Sequence, residues 1–170
     1  MEKELKKKPN LRVLKLEGFG MGKAFSEKVE FRPIKGGMLC QEPDSIGAKE
    51  WENPNGINAG NAELETLRFA WKVAKHVKSN AIVLAKGKTT IGIGMGLTSR
   101  VDSVELALKK AGQKAKGSVL ASDAYFPFSD SIPICAKAGV KAIAEPGGSI
   151  KDSEVIAEAK KQGIALYFTD

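Results

Sequence analysis

Four short stretches carry groups suited to holding or transforming a small polar ligand. They are SNAIV around Asn80, GIGMGLTSR from Gly92 to Arg100, SDAYFPFSD from Ser122 to Asp130, and PGGS from Pro146 to Ser149. Glycines that run into a capped helix gather free backbone N–H groups and the positive end of a helix dipole, a natural place for an anion. In SDAYFPFSD, the rings of Tyr125, Phe126 and Phe128, stiffened by Pro127, could stack on a flat heterocycle. Asp123 and Asp130 could then accept hydrogen bonds from its ring N–H and amino groups. A buried aromatic turn with Asp130 as a helix cap reads equally well. Asn80 stands at the entry to an apolar strand, where a polar group can face a cleft.

Several chemistries fail for want of residues. GIGMG has neither the Lys-Ser/Thr of a P-loop nor the spacing of a dinucleotide fingerprint. The HxE and PCxxC of zinc deaminases do not occur. His76 is the sole histidine, lies near the end of a predicted helix, and reads as a surface or interface residue; no GxSxG elbow supports a triad through it. Metal-free positioning chemistry, or simple binding, is what the residues leave.

The elements that must position these groups follow from periodicity. Ala81–Ala85 and Thr89–Ile93 read as strands about a turn at Gly87, followed by a glycine loop (Gly92, Gly94, Gly96) and a helix opening at Thr98 or Ser99 and running to Ala111. Before them, Asn61 can cap a helix through Val77 whose buried face is Leu64, Leu67, Ala70, Trp71, Ala74 and Val77. After them come a strand at Gly117–Ala121, a helix at Ile132–Ala138, a strand at Val140–Ala144, a helix from a capping-box-like Ser149/Asp152 to Lys161, and a strand at Ile164–Phe168. Residues 1–10 read as a flexible basic terminus and 11–60 as an arm of short strands and loop; the α/β core is 61–170. Within the arm, Leu11–Leu16 and Lys28–Ile34 have strand character, Gly37–Gln41 reads as a short buried strand, and 42–60 is an irregular connection. The alternation predicts a layered α/β fold on a largely parallel sheet, with both glycine loops and SDAYFPFSD leaving one edge.

At 170 residues, with 42% hydrophobic and 28% charged content, the chain is expected to form an ordinary soluble domain. It shows neither a membrane-length apolar run nor a signal-peptide core, so the expectation is cytoplasmic. Cys40 and Cys135 form no CxxC pair, and a disulfide framework is not expected. The net charge of +7 suits anionic partners, but the lysines are spread along helices without aromatic interleaving, so nucleic acid is not expected.

The segments FAWKVAKHVKSNAIVLAK, IGIGMGLTSRVDS, KGSVLASDAYFPFSDSI, AEPGGSIKDSEVI and GIALYFTD together resemble the C-terminal half of the transformylase domain of the bifunctional purine biosynthesis protein (AICAR formyltransferase/IMP cyclohydrolase). The likeness is dense from Leu67 to Asp170 and looser over 11–43. It implies a cytidine-deaminase-like layered sheet with helices on both faces and no zinc, working as a dimer with a shared site. It also implies formyl transfer from the co-substrate 10-formyltetrahydrofolate to AICAR in purine biosynthesis. On this resemblance Asn80 matches the asparagine near the formyl-transfer centre and Arg100 the arginine after the glycine loop. Tyr125 takes the place of an aromatic that packs on the ligands, and Phe126 is assigned beside it as ligand-binding. Asp130 matches the aspartate facing the folate, and Gly147, Gly148 and Ser149 the loop lining the same cleft. In some members the Ser-Asp pair, here Ser122 and Asp123, lies near a potassium site; no metal is assigned to this chain.

The chain departs from the family pattern in ways that bear on activity. The family's catalytic Lys-His pair sits in a KHxNPCG segment that does not occur here, and Lys75-His76 belongs to a different motif. FPFSD stands where FPFRD is usual, and the sequence stops at Thr169-Asp170 where the family continues into an Arg-x-Phe-x-His tail. The expectation is a folate-side half-site, completed in a homodimer or by a chain carrying KHxNPCG. The alternative is a non-catalytic folate- or nucleotide-binding module.

Overall fold

A computed structural model describes residues 5, 7, 10–12, 29–43 and 50–169. The Leu11–Leu16 strand expected from sequence lies largely outside these residues. The chain divides into two compact units, Met1–Ile46 and Gly47–Asp170. In the first, β1 (Glu30–Ile34) and β2 (Gly37–Gln41) pair antiparallel about a turn in which Gly36 has φ 86°. Every residue of both strands is exposed, so β2 is not the buried strand its apolar residues suggested. Among the described residues of this unit the two strands form a lone ribbon, without a second layer against which to bury a face.

The second unit is built from α1 (Asn61–Ala74), β3 (Ile82–Lys86), β4 (Thr89–Gly94) and α2 (Arg100–Ala111). A 3₁₀ turn, Gly112–Ala115, leads into β5 (Val119–Ser122), α3 (Ser131–Ala138), β6 (Ala142–Glu145), α4 (Asp152–Gln162) and β7 (Ala165–Phe168). The five strands form one sheet in the order β4-β3-β5-β6-β7. It is mixed rather than largely parallel: β5, β6 and β7 run parallel, while β3 is antiparallel to both its neighbours. The cause is local. Lys86 pairs with Thr89, leaving only Gly87 and Lys88 as a loop, with Gly87 at φ 58°. A two-residue turn can only reverse the chain, whereas a parallel pair needs a crossover of a dozen or more residues.

Alternation along each strand divides the core between the two faces. Ile82, Leu84, Leu120, Ile143 and Leu166 pack under α2, α3 and α4, with Val104, Ile132 and Val155 from those helices. The opposite residues Val83, Ala85, Ala121, Ala144 and Tyr167 pack against Leu67, Ala70 and Ala74 of α1. Helices therefore cover both faces. Residues 50–60, read from sequence as part of the arm, run beside β7: Glu52 bridges to Phe168, and the buried Asn55 donates to the Ile164 carbonyl (2.7 Å) and accepts from Leu166 N–H (3.3 Å). Trp51 stacks edge-on against Trp71 at 5.9 Å.

One helix start differs from expectation: Gly60, not Asn61, precedes α1, and no side chain caps it. At α4 the expected Ser149/Asp152 pair forms in part. The Asp152 carboxylate reaches back to accept the N–H groups of Ser149 (3.0 Å) and Gly148 (2.8 Å), while the Ser149 hydroxyl accepts from Lys151 N–H (3.1 Å).

The glycine run also divides. Gly92 and Gly94 lie within β4, and only Gly96, at φ 69°, is in the loop. A Cβ on Gly92 would collide with the Ala107 carbonyl, and one on Gly94 with the Ser103 carbonyl, because the backbone of α2 lies directly on the strand. These two glycines serve helix–strand packing rather than an anion. Gly94→Ala is expected to lower stability by about 1–3 kcal/mol, the usual cost of overpacking a tight core. A urea melt showing an unchanged midpoint would disprove the close approach.

Candidate functional site

The mixed topology gathers the motifs at one edge. Because β3 runs against β4 and β5, the start of β3 lies beside the ends of β4 and β5, at the edge where β6 also ends. The loops leaving that edge bound a cleft of about 530 Å³, lined among others by Asn80, Ser99, Arg100, Tyr125, Phe128 and Asp130.

Asn80 is held from three directions. Its Nδ2 donates to the Leu97 carbonyl (2.9 Å), its backbone N–H reaches the same oxygen (3.4 Å), and its own carbonyl accepts from the Ser103 hydroxyl (2.9 Å). The side-chain amide is thus oriented, and its second N–H and its Oδ1 have no partner among the described residues.

Arg100 is the first residue of α2, behind Ser99, whose hydroxyl caps the helix by accepting from Asp102 N–H (3.5 Å). Its guanidinium is buried, donating through Nη1 to the Asp123 carboxylate and to the Ala81 carbonyl (3.4 Å). Asp123 also accepts from Ala81 N–H (2.9 Å) and from the Ser79 hydroxyl. Burial pushes the Asp123 carboxyl up, but the bonds from Ser79, Ala81 and Arg100 outweigh it and hold the group below its ordinary value.

Tyr125 and Phe128 are well exposed on the cleft, with Pro127 between them at its lining, and Asp130 stands at the start of α3. Asp130 accepts from the Ser131 hydroxyl (3.3 Å) and does not cap the helix. Phe126 is turned the other way: its ring is fully buried in the core, outside the cleft lining. Gly147, Gly148 and Ser149 sit on the neighbouring β6–α4 loop and are not among the lining residues. Two of that loop's N–H groups already donate to Asp152. His76 is exposed in the turn after α1, away from the cleft.

Sequence reasoning did not find the partner that neutralises Arg100, or Ser103 as the support of Asn80, because both pairs join residues 23 apart. It also passed over Glu145, a fully buried carboxyl at the end of β6, whose only signal is an acid closing the apolar run AIAE. Among the described residues no group of His, Cys, Asp and Glu is arranged to hold a metal ion, and no helix is long and apolar enough to cross a membrane.

The sequence pattern of the family described as AICARFT/IMPCHase bienzyme matches residues 2–110. The chain belongs to this bienzyme family. It is 50% identical over 166 residues to the bifunctional purine biosynthesis protein PurH of Persephonella marina, and 47% identical over 164 residues to PurH of Bacillus subtilis. These alignments cover 96% and 95% of this chain but only 32% and 31% of the relatives, so it spans about a third of the length of the bienzymes it matches. Among solved structures, Acinetobacter baumannii RibD, form 2, aligns with TM-score 0.40 at 18% identity, covering 63% of this chain and 34% of that one.

The buried Arg100–Asp123 pair makes a testable demand. Its contribution is complete above the ordinary carboxyl value of 3.8 and is lost as pH falls through the lower folded value. Asp123→Asn leaves Arg100 without its counter-charge, so stability at neutral pH should fall by about 3 kcal/mol, as when one partner of a buried pair is removed. Urea melts from neutral to acid pH should also show a flatter acid limb in the variant.

Proposed function

We propose that this chain provides the folate-side half of an AICAR formyltransferase site, on a zinc-free cytidine-deaminase-like α/β unit, acting in purine biosynthesis. The supporting observation is convergence: an oriented amide (Asn80), two exposed rings (Tyr125, Phe128) and a carboxylate (Asp130) share one cleft of about 530 Å³. Formyl transfer from a folate amide to a weakly nucleophilic amine needs alignment, stabilisation of a tetrahedral oxyanion and a proton acceptor. The free N–H of Asn80 would donate to the formyl oxygen as negative charge develops there. Tyr125 and Phe128 would hold the flat heterocycle of 10-formyltetrahydrofolate, and Asp130 would accept from its ring N–H and amino groups. The proton acceptor would come from a second copy or from a chain carrying the KHxNPCG segment, which makes AICAR a ligand of the completed site.

One observation favours a second reading, a non-catalytic binding module. The only histidine of the sequence is outside the cleft, and no group of His type lines it. General acid–base help is commonly worth about 10² to 10⁴ in rate, so the chain alone would be a poor catalyst.

Calorimetric titration of the chain with a stable 10-formyltetrahydrofolate analogue, and separately with AICAR, tests the proposal. Analogue binding should weaken about tenfold in Asn80→Ala and about ten- to a hundredfold in Asp130→Ala, the ordinary worth of a neutral and of a charged hydrogen bond. Absence of analogue binding by the folded chain would overturn the folate reading. Binding without formyl transfer, even with a chain bearing KHxNPCG, would favour the binding module.

A further inference from the structure

Glu145 is the last residue of β6 and is fully buried. It shares a sheet face with Ile143, two residues earlier, and so lies under the three-helix side. Its Oε2 accepts the backbone N–H of Phe126, while Oε1 has no hydrogen-bond partner among the described residues. Phe126 is the hinge pin of the aromatic segment. Its ring is locked in the core and its N–H is locked on Glu145, while its neighbour Tyr125 and, two residues on, Phe128 are 45% and 57% exposed along the cleft.

We propose that Glu145 is the positioning residue of the cleft's aromatic rim: its buried carboxyl holds the Phe126 N–H from beneath, and opening of that buried seat, which hydrates the carboxyl, loosens Tyr125 and Phe128 together. What this does for a ligand rests on the folate reading above; the positioning itself does not.

The electrostatics of the pocket fit this role. Burial pushes the Glu145 carboxyl up to about 8, the Phe126 N–H opposes the rise, Asp152 on α4 adds to it, and Arg100 on α2 opposes it. Arg100 is itself neutralised by Asp123, which limits its help. On this face the flanking strands offer no further titrating group: β7 places Phe168 opposite Glu145 and turns Tyr167 to the α1 side, and β5 ends alongside at Ser122. A carboxyl that titrates near 4.5 when hydrated and near 8 when buried releases its proton on opening throughout the interval between. Opening of the rim therefore becomes easier by up to about tenfold per pH unit across that interval and levels off above it.

Amide hydrogen exchange of Phe126 in the full chain, corrected for the intrinsic pH dependence of exchange, reads this directly. Wild-type protection should fall by up to about tenfold per unit from about pH 6 to about pH 8 and then flatten. Glu145→Gln keeps an acceptor but cannot titrate, so its protection should stay high and flat. Glu145→Ala should leave Phe126 poorly protected at every pH. A Glu145→Gln slope equal to wild type overturns the proposal, and that comparison decides it even where Glu145→Ala does not fold. In the calorimetric titration, Glu145→Ala should lose analogue affinity that Glu145→Gln retains. A wild-type chain that binds no analogue would sink the folate reading, while the exchange slopes still decide the role of Glu145.

Discussion

The cleft edge depends on one buried ion pair, Arg100 with Asp123. It joins the start of α2 to the exit of β5, and both partners also grip the backbone of Ala81 at the entry to β3. Three segments are thereby tied at one point, immediately beside Asn80. A buried pair of this kind returns little net stability, because desolvation consumes most of the Coulomb gain, but removing either partner is severe. Its value here is geometric. It fixes the peptide that carries Asn80, and with Ser103 and Leu97 it leaves that amide one orientation.

The second constraint is the close approach of α2 to β4. Gly92 and Gly94 remove the side chains that would hold the helix off the strand, so its N-terminus arrives at the sheet edge low enough for Arg100 to reach under the loops. Packing and the ion pair are therefore one arrangement. The helix must lie flat for the arginine to be buried, and burial makes Asp123 necessary. On the other side of the edge, Glu145 supplies a fully buried carboxyl, where Asp123 is only half-buried, and it is tied not to a counter-ion but to a backbone N–H. One acid is held ionised and the other pushed toward neutrality, because the first accepts bonds from Ser79, Ala81 and Arg100 while the second accepts only one backbone N–H.

Much of this was legible locally. Periodicity located the helices and the five strands of the core to within one to three residues. Of the apolar face expected for α1, Leu67, Ala70 and Ala74 are buried while Leu64, Trp71 and Val77 are half-buried, since burial of a stripe leaves its spacing in the chain. The two-residue turn at Gly87 already dictated a reversal, although the βα alternation pointed toward a largely parallel sheet; the shorter-range constraint prevailed. Apolar content misled at Gly37–Gln41, where composition says nothing about whether a second layer exists to cover it.

The sequence by itself determined the family, the order of elements and the shared edge of the glycine loop before Arg100 and the segment holding Tyr125 and Asp130, because motifs at strand exits inherit their place from topology. Asn80, at the entry to β3, joins that edge only because β3 runs antiparallel to its neighbours. Only the tertiary structure decided what each group touches. Phe126 and Tyr125 are adjacent and alike in type, yet one ring is core and the other rim; the glycines of one run divide between packing and turning; and Asp123 and Glu145 acquire opposite tendencies. Each of these depends on partners many residues away, and local propensity carries no record of which backbone, helix or charge will arrive there.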